Sequence, residues 1–146
     1  MPITVRAVEA KDEARWRQLF DGYITFYRES VPQDVIDLTW QRIVGSEEDM
    51  AGLVAADEMG RVVGLANLVF HASTWSASSY CYLEDLFADE AVRGQGVGRA
   101  LIEAAYQLAD QRGASRTYWA TQENNATARR LYDRVGVLTP FVQYRR

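Results

Sequence analysis

Cysteine and histidine are almost absent from this 146-residue chain, which carries one of each, Cys81 and His71. A single cysteine cannot close an internal disulfide, and with one histidine it cannot build a usual zinc site, so neither a metal nor a disulfide framework is expected. Long apolar runs are missing too. No stretch approaches the roughly 20 apolar residues that span a bilayer, and Met1 to Glu13 shows no apolar run after a basic start. No membrane partner is expected, and a cytoplasmic location follows by elimination. Basic charge is in deficit: 16 Lys and Arg face 20 Asp and Glu, a net charge of −4. Neutralising phosphates needs a clustered basic surface, so nucleic acid is not the expected partner, and cationic or neutral small molecules fit better.

What is present is the make-up of one folded domain. Hydrophobic residues form 48% of the chain and charged ones 25%, close to the globular average. A chain of this length buries one core but not two, so residues 1–146 are read as a single domain. No repeat, linker or low-complexity stretch interrupts it. Ile3 to Ala7 reads as an opening strand, and Trp16, Leu19, Phe20, Tyr23 and Tyr27 recur at helical spacing. Pro32 near a helix start, with Ile36, Trp40, Ile43 and Val44 on one face, predicts a second helix ending near Gly45. Ala51 to Ala56, Val62 to Phe70 and Ser79 to Phe87 are apolar or aromatic runs separated by turn signals, the pattern of a three-strand meander. Val97, Leu101, Ala104, Ala105 and Leu108 then keep a 3.6-residue period until Gly113. Arg116 to Thr121 reads as a strand, Ala126 to Val135 as a helix and Phe141 to Arg145 as a last strand. The order is a mixed α/β (α+β) one, a single sheet with helices on both faces and the first two helices paired over one of them.

The sharpest local feature is Arg93-Gly94-Gln95-Gly96-Val97-Gly98, between a strand and a helix. Glycines there let the backbone approach a ligand and turn its N–H groups inward, and a helix amino terminus adds partial positive charge, so a pyrophosphate is the natural guest. A dinucleotide fingerprint needs a glycine where Arg99 stands, and a nucleotide-triphosphate loop needs a Gly-Lys-Ser/Thr ending that is absent. Alone, the three glycines are equally compatible with a plain tight turn.

Arg93, Gly96 and Gly98 match the Arg/Gln-x-x-Gly-x-Gly/Ala signature of the GNAT acetyltransferases, and two further segments stand at that superfamily's distances: Leu83-Glu84-Asp85-Leu86 upstream, and Asn125-x-x-Ala128-x-x-x-Tyr132 with Gly136 downstream. From about Tyr80 to Gly136 the chain therefore resembles a GNAT N-acetyltransferase. Trp119-x-Thr121 and Phe141-x-x-Tyr144 further resemble the branch of yeast histone, polyamine and D-amino-acid acetyltransferases, with diamine acetyltransferases more distant. The resemblance implies a central, mixed, largely antiparallel sheet of about six to seven strands, splayed between the fourth and fifth. It implies an enzyme that moves the acetyl group of acetyl-CoA directly onto a primary amine of a polyamine, an amino acid or a protein lysine. Relatives in this branch are often dimers, which implies a homodimer. The alternative is a non-catalytic acyl-CoA sensor or interaction module that kept the fold, and a nucleotide-phosphate binder is a third reading. Turnover with an amine panel, and competition of ATP or NAD with CoA, separate the three.

The same resemblance distributes the roles. The CoA pyrophosphate is expected on the amides of Arg93, Gly94, Gln95, Gly96, Val97, Gly98 and Arg99, and the pantetheine arm along the main chain of Leu86, Phe87 and Ala88. Asn125 is read both as an N-cap and as a CoA contact. Only about one alkyl amine in a few thousand is unprotonated at pH 7, so a proton must be removed. Glu84 is the expected general base, directly or through water, against the plainer reading of a strand-end carboxylate. Asp85 is expected to hold the acceptor's cationic end, which simple alternation forbids unless the strand carries a bulge. Tyr132 is the expected general acid toward the CoA thiolate, against the reading of a core aromatic, and Tyr82 and Trp119 are expected to line the acceptor pocket. Cys81 has no histidine near it in sequence to activate it, so direct attack is preferred to an acetyl-cysteine route.

Overall fold

The computed structural model describes residues 2–45, 47 and 49–146. Among the described residues five strands form one sheet in chain order: β1 (Thr4–Ala7), β2 (Met50–Ala56), β3 (Val62–Ala72), β4 (Ser79–Ala88) and β5 (Arg116–Tyr118). The first four pair antiparallel and β5 joins β4 in parallel, so the sheet is mixed but largely antiparallel.

Period-2 patterning sorts the sheet's side chains between two sets of helices. On one face lie α1 (Glu13–Phe26) and α2 (Gln33–Val44), whose Trp16, Leu19, Phe20, Ile24, Trp40 and Ile43 bury against Val54, Val62 and Leu65. On the other lies α3 (Val97–Gln111), whose Val97, Leu101, Ile102, Ala105 and Ala109 meet Leu53, Ala55, Val63, Ala66 and Leu68. The fourth helix, α4 (Ala126–Val135), adds Leu131, Tyr132 and Val135 to the edge of that second core. The helix pair over one face is thus as the spacing predicts.

The strand count is lower than the about six to seven implied by resemblance. Phe141 to Arg145 alternates like a strand yet, among the described residues, joins no hydrogen-bond ladder of the sheet. Its apolar side chains stand in water instead: Val137, Leu138, Phe141, Val142 and Tyr144 are all exposed. β5 is also shorter than the expected Arg116 to Thr121, ending at Tyr118.

Two irregularities position the site. Pairing of β4 with β5 covers only Tyr80 to Tyr82 against Arg116 to Tyr118, after which the strands part. From Leu83 to Ala88, β4 is therefore laddered to β3 but has no strand on its other side. The second irregularity is a β-bulge. Asn67 of β3 opposes Asp85 and Leu68 opposes Leu83, so Glu84 is the extra residue without a partner.

Candidate active site

The end of β4 runs through Asp89, where the Asp89 carboxylate pairs with Arg15 of α1, into Arg93 and the glycine loop. Gly94 and Gly96 have φ of +81° and +86°, and a Cβ built on either meets nothing within 4 Å. The left-handed backbone, not crowding, is what demands glycine there. Gly96 caps α3, so the partnerless first-turn amides of Val97, Gly98 and Arg99 face outward from the loop. Arg93 is held over the rings of Phe26 and Phe87, 5.6 and 5.3 Å from their centroids, and its Nε donates to the Ala88 carbonyl at 3.4 Å. Arg99 pairs with Glu103 at 3.0 Å. Beside the loop, the Leu86, Phe87 and Ala88 main chain lies on the side of β4 that β5 has left. Such an edge offers N–H and C=O groups to a peptide-like arm. Asn125 caps α4, its Oδ1 accepting from the Ala128 amide at 3.4 Å, while its Nδ2 donates to Thr121 at 3.4 Å.

On the far side of the splay opens a cleft of about 490 Å³, lined by Tyr23 and Tyr27 of α1, Tyr82 and Glu84 of β4, Thr121 and Gln122 after β5, and Gln143 and Arg145 of the tail. The bulge turns Glu84 outward into it. The Tyr82 ring packs tilted against that of Tyr118, centroids 4.8 Å apart, and burial holds its phenol above the ordinary value. Asp85 goes the other way. Its half-buried carboxylate accepts from Asn67 Nδ2 at 3.0 Å, and desolvation pushes it up to about 6, while the Tyr23 hydroxyl donates to the Glu84 carbonyl at 3.4 Å. Trp16 Nε1 donates to Asn67 Oδ1 at 3.4 Å, which fixes the amide so that its NH₂ faces Asp85.

Tyr132 sits on α4, edge-on to Trp119 at 5.5 Å, and burial, with Tyr27 as a neighbour, pushes its phenol up to about 12. Near pH 7 it is a proton donor. Trp119 backs Tyr132 and Gly136 and is not among the residues lining the cleft; nor is Asp85. Cys81 is buried in the core, its thiol pushed up to about 11, so a thiolate is disfavoured.

Reading the sequence alone missed Tyr23, Tyr27, Asn67 and Arg145. Asn67 left a signal, an amide in the middle of the apolar run Val62 to Phe70. Tyr23 and Tyr27 stand one helical turn apart, indistinguishable in sequence from core aromatics.

The glycine loop with the free β4 edge, and the carboxylate-bearing cleft, thus give the chain two separate places with room for a ligand. The chain belongs to the acetyltransferase (GNAT) family, whose model matches residues 16–137. The D-amino-acid N-acetyltransferase HPA3 of Saccharomyces cerevisiae is 36% identical over 145 residues, covering 99% of this chain and 90% of that protein. A thialysine N-epsilon-acetyltransferase of Bos taurus is 35% identical over 75 residues, 51% of this chain and 44% of that one. Among solved structures, the aminoglycoside N-acetyltransferase AAC(6')-Iy in complex with CoA superposes with a TM-score of 0.85 at 19% identity, covering 99% of this chain and 94% of that one. The chain is accordingly an acetyl-CoA-dependent N-acetyltransferase, and the reading as a non-catalytic module is not favoured.

Proposed function

We propose that this enzyme acetylates the amino group of a free amino acid. One observation carries the acceptor class: Glu84 and Arg145 line the same cleft, an anion and a cation suited to the ammonium and carboxylate of one zwitterion. The action on D-amino acids in the name of the yeast relative agrees with it. A polyamine has no use for the guanidinium.

Acetyl-CoA supplies an activated acyl carbon when bound, with Arg93 to Arg99 holding its pyrophosphate, Leu86 to Ala88 its pantetheine arm and Asn125 adding a contact. Glu84 draws the ammonium into the cleft and takes its first proton, directly or through water. Tyr82 shapes the pocket beside it, and Trp119 serves it from behind Tyr132. Tyr132 gives a proton to the leaving sulfur. Asp85 supports the cationic end of the acceptor from beneath Tyr23. No metal enters this scheme. We assign the reaction to the cytoplasm and the working form to a homodimer, the latter supported by the apolar tail left exposed on one chain.

The test is a panel of D- and L-amino acids, a simple monoamine, a polyamine and a lysine peptide, with free thiol as the readout. Amino acids are expected to give the highest kcat/KM, and Arg145→Ala should raise KM for them while leaving the monoamine unchanged. A chain that releases thiol with no amine is not this enzyme; a polyamine preference indifferent to Arg145→Ala replaces the acceptor class.

A further inference from the structure

Tyr82 lines the cleft from β4, two residues before Glu84, at the point where β4 and β5 part. The parallel ladder that brings β5 there runs for three residues and ends with Tyr118 against Tyr82. So short a ladder frays at its last rung, where no further pair follows. Tyr118, on that rung, is 37% exposed. The ladder alone is a weak hold on a ring that backs the cleft.

A second hold reaches it from β3. His71, the one histidine of the chain, pairs with Tyr80 in the β3–β4 register, so β4 stands between it and β5. Its imidazole is engaged at both nitrogens: Nδ1 lies 2.8 Å from the Ala72 carbonyl oxygen, and Nε2 lies 2.6 Å from the Tyr118 hydroxyl oxygen. A carbonyl only accepts, so Nδ1 carries the proton of the neutral ring and the Tyr118 O–H donates to Nε2. That bond spans β4 and ties the last residue of β5 to β3. Tyr80 fills the space between, edge-on to His71 at 5.7 Å and to Tyr118 at 6.2 Å, with the Arg116 guanidinium 4.5 Å from its ring centroid. Period 2 puts Tyr80 and Tyr82 on one face of β4, and there the Tyr118 ring meets that of Tyr82. Neither His71 nor Tyr118 lines the cleft, so their route to it is Tyr82.

We propose that His71 and Tyr118 are positioning residues for the amine acceptor: their hydrogen bond fixes the Tyr118 ring as the backing against which Tyr82 presents its side chain to the cleft. With the bond made, the acceptor meets a wall already formed. Without it, Tyr82 holds that orientation for only part of the time, and apparent affinity falls by the same fraction. A neutral hydrogen bond of ordinary net strength corresponds to about a five-fold shift in such an equilibrium. The inference rests on the acceptor cleft assigned above.

The test compares Tyr118→Phe, His71→Phe, their double variant and His71→Gln for acceptor KM, kcat and acetyl-CoA affinity, with one D-amino acid as acceptor. Each single Phe variant should raise acceptor KM about five-fold while kcat and acetyl-CoA affinity stay at the parent value. The double variant should lose no more than either single one, because both remove the same bond, and His71→Gln, which again offers the hydroxyl a polar atom, should recover most of the loss. Parent KM in both single variants, losses that add in the pair, or a parallel fall in kcat and acetyl-CoA affinity overturns the proposal. Nitrogen NMR of the single imidazole reads the bond without turnover: the neutral ring should carry its proton on Nδ1, and Tyr118→Phe should shift the Nε2 signal. A proton on Nε2, or an Nε2 signal indifferent to Tyr118→Phe, overturns it as well. A parent chain that shows the bond but acetylates no amine is instead the failure of the proposed function.

Discussion

At the scale of single residues, Asp85 is a carboxyl that folding makes harder to ionise. Its folded value near 6 stands above the ordinary 3.8, with burial as the first cause and the nearby Glu84 adding to it. A carboxyl raised on folding favours the fold fully below its unfolded value, and that contribution is lost as pH climbs through the folded one. Between about pH 4 and 6 the folded state should therefore give up on the order of 2–3 kcal/mol at this residue. Asp85→Asn removes the ionisation and should be more stable than the parent toward urea at pH 8, by on the order of 2 kcal/mol, with the gap closing below about pH 4. A difference independent of pH would mean that packing, not ionisation, separates the two proteins. Sequence reading could name Asp85 but not orient it. A period-2 strand puts Glu84 and Asp85 on opposite faces, and whether a bulge intervenes depends on the register with β3, a property of two strands together. The same reason hid Asn67, whose value comes from facing Asp85 across that register.

At the scale of elements, the glycine loop and α3 were the most legible parts, because their signals are local. A 3.6-residue apolar period and a run of glycines need no partner to be recognised, and α3 begins at Val97 as that pattern requires. Strand ends are different. β5 stops at Tyr118 because β4 diverges from it, and nothing in Trp119 to Thr121 forbids a strand. The divergence is what leaves the β4 edge unpaired beyond Tyr82, the edge proposed above for the pantetheine arm. For the loop, Gly96→Glu should weaken CoA binding about ten-fold or more, through a carboxylate set against pyrophosphate and a φ that side chains resist. Gly60→Glu is the matched control, since Gly60 has a similar φ of +82° with equally open surroundings but lies in the turn between β2 and β3. Calorimetric titration with CoA should find the Gly60 variant like the parent. Equal losses in both, or in neither, would remove the loop from the CoA site.

At the scale of the whole molecule, the two cores divide the work. The α3 core carries the glycine loop proposed for the acetyl donor, while α1 contributes Tyr23 and Tyr27 to the cleft proposed for the acceptor, and the splay between β4 and β5 lies between the two. The tail is the part this arrangement does not complete. Phe141 and Tyr144 are 86% and 94% exposed, although Gln143 and Arg145 between and beyond them line the acceptor cleft. Apolar surface left in water costs about 25 cal/mol per Å², so a second copy that covers these side chains gains what one chain forgoes. Sedimentation at micromolar protein should accordingly give twice the 16.5 kDa of the single chain. Phe141→Asp together with Val142→Asp should sediment as the single chain. Because the same segment carries Arg145, that variant should also show a raised KM for amino acids while its CoA affinity stays at the parent value. A parent chain that sediments at 16.5 kDa over the whole concentration range would show that the tail's apolar side chains are not covered by another copy.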